Sequence, residues 1–259
     1  MATQVVAKVD NLRMRRARER IFFCGIALLM IAAILLGFRQ TYFPLSERPA
    51  ALSSWAIQLH GAVFSLFLLL LLVQTSLIAA RRVRWHMALG LWVYGLAALM
   101  IPIGIVSAAD ELRRDLNAGP PYGFGIDPRT FSLVSVMGMA IFGTLMAWSF
   151  AARRTPDVHK RLALYATLSM MDAGIDRWPW AAWHVQQTFN RGWPMWVFTA
   201  YLLAPAIYDL ISLRRVHWVT MSAAPFVWIL EMLEIPLGQT RAWHAIADFM
   251  LRYLAFHHS

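Results

Sequence analysis

WAIQLHGAVFSLFLLLLLVQTSLIAA (Trp55–Ala80) runs for 26 residues without one Asp, Glu, Lys or Arg. About 18 or more apolar residues in succession are enough to cross the hydrocarbon core of a bilayer as a helix. Working outward, similar runs occupy Ile21–Phe38, Met87–Ala109, Phe131–Ala152, Leu162–Trp183, Pro194–Leu213 and Trp218–Leu237. The pattern predicts an all-α integral membrane protein of about seven transmembrane helices. It forms a single membrane domain over residues 1–259: a basic cytoplasmic segment (1–20), a helix bundle (21–237) and an amphipathic C-terminal segment (238–259).

Composition agrees. Hydrophobic residues make up 59% of the chain and charged residues 15%, against about 45–50% and about 25% in soluble domains. The net charge of +10 does not point to nucleic acid, because the basic residues lie in short clusters between apolar runs. A nucleic-acid module gathers them on one face. Lysine occurs only at Lys8 and Lys160, both outside the runs, which excludes a retinal Schiff base within the bundle. Cys24 is the single cysteine, so no internal disulfide forms. The first run follows a basic flank as in a signal peptide. It is long and lacks a small-residue cleavage site, and it reads as a retained helix.

Basic residues set orientation. With the amino end inside, fifteen of the 24 Lys and Arg fall on the cytoplasmic side, in the segment before Ile21 and around Arg81, Arg153 and Arg214. The carboxyl end is then outside. The connection Asp110–Arg129 contains Asn117-Ala-Gly-Pro-Pro-Tyr-Gly-Phe-Gly125 and is expected to be a turn-rich external loop. Trp178, Trp180, Trp183, Trp193 and Trp196 bracket the next external loop, as interfacial aromatics do. Pro102 with Gly104 predicts a kink in the third span, and Gly90 and Gly95 predict close helix approach. Trp243, Ile246, Met250 and Tyr253 fall at helical spacing, which predicts an amphipathic helix on the outer surface.

A weak repeat organises the middle of the chain. Arg81-Arg82-Val-Arg-Trp-His86-Met-Ala-Leu89-Gly-Leu91 parallels Arg153-Arg154-Thr-Pro-Asp-Val-His159-Lys-Arg-Leu162-Ala-Leu164. Each copy is a basic pair, a short turn, then His-x-x-Leu-x-Leu opening a helix. Spans two and three thus look like a copy of spans four and five, giving a four-helix core. His86 and His159 occupy equivalent places and are expected to face each other. Such a pair suits the axial ligands of a haem iron, and His60 with His184 is a second, outer candidate pair. His217, His244, His257 and His258 read as surface residues.

Ionisable groups inside a membrane segment are costly, and each needs a reason. The fifth span carries Asp172, Asp176 and Arg177, the sixth Asp209, and the seventh Glu231 and Glu234. They are expected to form a polar intramembrane cluster in which Arg177, or a basic group on another helix, compensates the acids.

The stretches His60-Gly-Ala-Val-Phe, Val73-Gln-Thr-Ser-Leu-Ile-Ala-Ala-Arg-Arg82 and His86-x-x-Leu-Gly90 resemble a family of bacterial polytopic membrane proteins of uncharacterised function. Pro156-Asp-Val-His-Lys-Arg-Leu162 and Asp172-Ala-Gly-Ile-Asp-Arg-Trp-Pro179 are similar to the same family's second signature. This resemblance implies the inner membrane of a bacterium. More distantly, histidines at helix ends in a four-helix core resemble the transmembrane b-type cytochromes that reduce ascorbate or ferric iron. The chain departs from those at the outer end, where the fourth span offers Met137 and Met139. Three functions stay open: haem b or quinone binding for electron transfer, with a membrane redox complex as partner; a proton- or ion-coupled carrier using the buried acids; and a structural or assembly subunit of a membrane complex.

Overall fold

The computed structural model describes residues 2–39, 54–122, 125–183 and 192–254, and all regular structure among them is helical. The helices are α1 (Ala2–Gly37), α2 (Trp55–Ala79), α3 (Val83–Ala118), α4 (Pro128–Ala151), α5 (Pro156–Leu168), α6 (Asp172–Ile175), α7 (Trp193–Leu213), α8 (Trp218–Gly238) and α9 (Arg241–Tyr253). Six are long and apolar enough to cross a membrane: Ala17–Gly37 of α1, then α2, α3, α4, α7 and α8. The chain has the make-up of a multi-pass membrane protein. Its outward faces are apolar, with Trp92 78% and Leu91 62% exposed, as suits a lipid environment.

Local sequence sets the corners. Arg81 and Arg214 take positive φ (60° and 59°) where α2 and α7 end. Asp127 accepts from the Thr130 N–H (3.0 Å) ahead of Pro128, a side-chain cap with proline at the first helical position. Thr240 caps α9 in the same way. His217, expected at the surface, caps α8 by accepting from the Val219 N–H (3.2 Å). The basic corners share one end of the bundle: Arg20 donates to the Ala79 carbonyl, and Lys160 pairs with Glu19 (2.8 Å).

Helices α2, α3, α4 and α5 pack in chain order, as the repeat predicts, with α1 alongside α2. The core is wider than four helices, because α8 packs on both α4 and α5. Phe142, Leu145, Leu162, Tyr165 and Met100 lie at its centre. The close approach falls on Gly104, packed on Met139, while a Cβ at Gly95 would meet nothing within 4 Å.

Two expectations are corrected. The connection after the third span is not a loop from Asp110, since α3 continues to Ala118. Ser107 bonds the Ala56 carbonyl (3.1 Å), so the rest of α3 projects past the start of α2. Helix α9 packs across it, with Trp243 and Met250 against Ala108 and Ala109 and the Leu251 carbonyl accepting from Arg113 (2.7 Å). Helix α9 is present, but the predicted apolar face is split: Trp243 and Met250, with Ala247, point inward, while Ile246 and Tyr253, with Phe249, are exposed.

The second correction concerns Leu162–Trp183, which is not one continuous helix. Helix α5 ends at Leu168, and α6 is a single turn after a break at 169–171. Side chains and short-range bonds satisfy the freed backbone: Thr167 donates to the Ala163 carbonyl (3.0 Å), Ser169 to Ala166 (2.9 Å), and the Met171 N–H to Leu168 (3.0 Å). Irregular backbone survives at membrane depth only where protein buries it, and Ser169 and Met171 are each 1% exposed. The segment still runs along the apolar part of α1 (Ala17–Gly37), from the Lys160–Glu19 pair to the Trp178 bond with the Ala33 carbonyl (2.9 Å). Gly174 lies directly against Gly37, where a Cβ would collide with the Gly174 carbonyl. The tryptophans here are not all interfacial: Trp180 is 4% exposed and stacks on Trp178 (5.5 Å), while Trp193 and Trp196 are exposed.

Candidate functional site

The break in the fifth segment delivers an acid into the bundle. Asp172 opens α6 and meets Glu231 and Glu234 of α8, one helical turn apart and therefore on one face. One carboxylate oxygen from each lies within 4.8 Å of the others. Exposure is 8% for Asp172, 1% for Glu231 and 0% for Glu234, and nearby Asp176 is 2% exposed. The Asp172 and Glu231 carboxyls are thus direct neighbours. Beyond that contact, neither oxygen of Glu231 has a hydrogen-bond donor among the described residues. Ionised carboxylates only accept hydrogen bonds, so this contact becomes attractive with a shared proton or a bound cation. By helical rise the cluster lies about 10 Å from the end of α8 that faces α9 and about 20 Å from the basic end.

The expected composition of this cluster changes in two ways. Arg177 makes no ion pair with it: none of its nitrogens comes within 4.0 Å of a carboxylate among the described residues, and its charge acts on Asp172 and Asp176 only at longer range. Its guanidinium donates to the Ala173 carbonyl (2.6 Å) and lies over the Phe38 ring (5.0 Å). Asp209 belongs to a separate site near the basic end. There it pairs with Arg161, a residue the sequence reading left out, and accepts from the Thr220 hydroxyl (2.7 Å) and the His217 N–H (3.0 Å). Arg161 is 2% exposed and also bonds the Asp157 carbonyl (2.8 Å). It shares a face of α5 with buried Tyr165 and Leu168, and that spacing was the available signal.

The histidines divide likewise. His86, at the start of α3, and His159, in the first turns of α5, face each other with ring centres 6.4 Å apart and planes at 75°. Nδ1 of His159 lies 3.3 Å from the Ser149 carbonyl and 3.1 Å from the hydroxyls of Ser149 and Tyr94. A carbonyl only accepts, which assigns the proton to Nδ1 and leaves Nε2 its lone pair. The Gln74 amide lies against Nδ1 of His86 and, with its NH2 turned to that ring, accepts from the Gly90 N–H (3.0 Å). His60 is elsewhere, stacked on Phe64 (3.9 Å), with no hydrogen-bond partner for Nδ1 among the described residues. Its expected partner His184 lies outside the described residues, as do His257 and His258.

Comparison with protein-family models, with curated proteins and with solved structures finds no match for this chain. The site geometry therefore carries the functional argument.

Proposed function

We propose that the chain is a membrane carrier that couples transport to protons, or to a cation that replaces them, at the Asp172–Glu231–Glu234 cluster. One observation carries this reading. Three carboxylates converge within 4.8 Å, none more than 8% exposed, beside a broken helix in an apolar bundle. Charged carboxylates are not left uncompensated in such a place; they take up protons or coordinate cations. Both can be exchanged. Interrupted helices near the membrane interior are where carriers hold coupling ions and substrates, and α5 breaks next to these acids. In this reading the segment of α5 and α6 is a seventh crossing. The basic end faces the cytoplasm of a bacterial cell, following the arginine bias.

The test is ion flux through the full chain in sealed vesicles that enclose a pH-sensitive dye. Gradients of sodium, potassium, magnesium and calcium are imposed in turn. At least one gradient is expected to drive protons the opposite way, and Asp172→Asn combined with Glu231→Gln abolishes the response. Proton movement absent under all four gradients, or equal in the double variant, overturns the carrier reading.

A further inference from the structure

We infer that His86 and His159 form a binding site for one transition-metal centre, either a bare ion or an iron already held in a macrocycle. The site lies near the basic end, apart from the carboxylate cluster. Three observations carry it.

The first is spacing. With metal–nitrogen bonds of about 2.0–2.1 Å, two imidazoles on opposite sides of one metal place their ring centres about 6 Å apart. The observed 6.4 Å fits that separation without moving the backbone. Two rings stacked face to face would be closer and two rings bridged by a longer ligand farther apart; edge-to-face contact shares this range, so the spacing counts together with the surroundings of the rings.

The second is the surroundings of the rings. Metal-binding histidines nearly always have the second ring nitrogen held by a carbonyl, carboxylate or water, which fixes tautomer and orientation. His159 has the Ser149 carbonyl in that place. Ser149, fully buried, donates its hydroxyl to the His159 carbonyl (3.0 Å) and accepts from Tyr94 (2.7 Å), so the group is rigid. His86 has Gln74, 8% exposed, whose amide lies against Nδ1. With its NH2 turned to the ring it donates to Nδ1, so binding a metal through Nε2 of His86 takes a half-turn of that amide, which then accepts from Nδ1–H.

The third is access. Both histidines are partly buried, and the groups around them come from α2, α3, α4 and α5. A ligand can reach the rings, while four elements fix their positions. Two nitrogen donors suit zinc, copper, nickel or iron, and do not suit calcium or magnesium.

The test uses tag-free full-length protein in detergent, stripped with chelator. One portion is titrated with haem and followed by visible absorption. A second is titrated with Cu2+ and followed by electron paramagnetic resonance, whose nitrogen couplings count the imidazoles bound. The inference expects one equivalent per chain in at least one arm, with two coordinating nitrogens. The haem arm identifies a macrocycle-held iron and the copper arm a bare ion. His86→Ala and His159→Ala each abolish that binding, and Gln74→Leu weakens it by about 10–100-fold, the usual effect of losing a supporting hydrogen bond. Asp172→Asn combined with Glu231→Gln leaves it unchanged, so the failure of the carrier reading and of this one are separable. The inference is overturned if neither arm gives a one-to-one complex, if wild-type copper shows fewer than two nitrogens while haem does not bind, or if binding survives both histidine substitutions.

Discussion

Asp209 and Glu231 are equally withdrawn from solvent, at 0% and 1% exposure, yet their surroundings are opposite. Asp209 meets a guanidinium, a hydroxyl and a main-chain N–H, and so its charge is balanced and its oxygens are used. Glu231 meets other carboxyls. The first arrangement ties α5 to α7 and α8 and gains nothing from exchange. In the carrier reading proposed above, the second is completed by a proton or a cation. Burial of charge alone thus does not single out a site in this bundle; the company a buried carboxyl keeps distinguishes the two.

The largest expected effect comes from breaking the balanced site. Arg161→Met strands a fully buried Asp209, and removing one partner of such a pair costs about 3–5 kcal/mol. A sharp drop in detergent melting temperature and yield is expected, and adding Asp209→Leu should restore much of both. An unchanged melting temperature for the single variant would erase the contrast with Glu231.

Next in size is the contact that positions the broken segment. Gly37→Ala places a methyl group against the Gly174 carbonyl, and overpacking of this kind costs about 1–3 kcal/mol. Gly95→Ala, which meets nothing within 4 Å, is the control. Equal melting temperatures for the two variants would show that α1 does not hold α6 in place.

The unbalanced site should respond in the other direction. Glu231→Gln removes a potential like charge and supplies a donor to Asp172, so stability is expected to be unchanged or raised while proton movement is lost. A loss comparable to that of Arg161→Met would instead make this cluster a structural lock. The smallest effect belongs to Arg177→Met. Its contacts are one carbonyl and one ring, and a change within about 0.5 kcal/mol is expected, as for ordinary surface positions. A large loss would restore Arg177 as the partner of the acids.

Much of the helix order was legible because apolar run length is read directly by a bilayer, and Trp55–Ala80 needs no tertiary information. The repeat also placed His86 opposite His159, because two hairpins with the same opening pack the same ends together. The break at 169–171 was not legible. Leu168-Ser-Met-Met-Asp172 has no proline or glycine, and what fixes the break is distant: Gly37 against Gly174 and Trp178 on the Ala33 carbonyl. The extension of α3 was hidden for a similar reason, since the charged sequence after Asp110 reads as a loop until α9 covers it. Grouping Asp209 with the other acids failed because depth along a helix does not say which neighbour lies across from it. Arg161, two residues after His159 in a basic stretch, entered only the charge bias and is instead the buried partner of Asp209.

The most direct test of the central claim is an infrared pH titration of the purified protein in H2O and in D2O, read at the carbonyl stretch of protonated carboxyl groups. Exchangeable buried acids predict a band that shifts in D2O, disappears as pH rises or a coupling cation is added, and is reduced in Glu231→Gln. A band that Glu231→Gln leaves intact, or one unaffected by pH, by D2O and by every cation, would contradict the account.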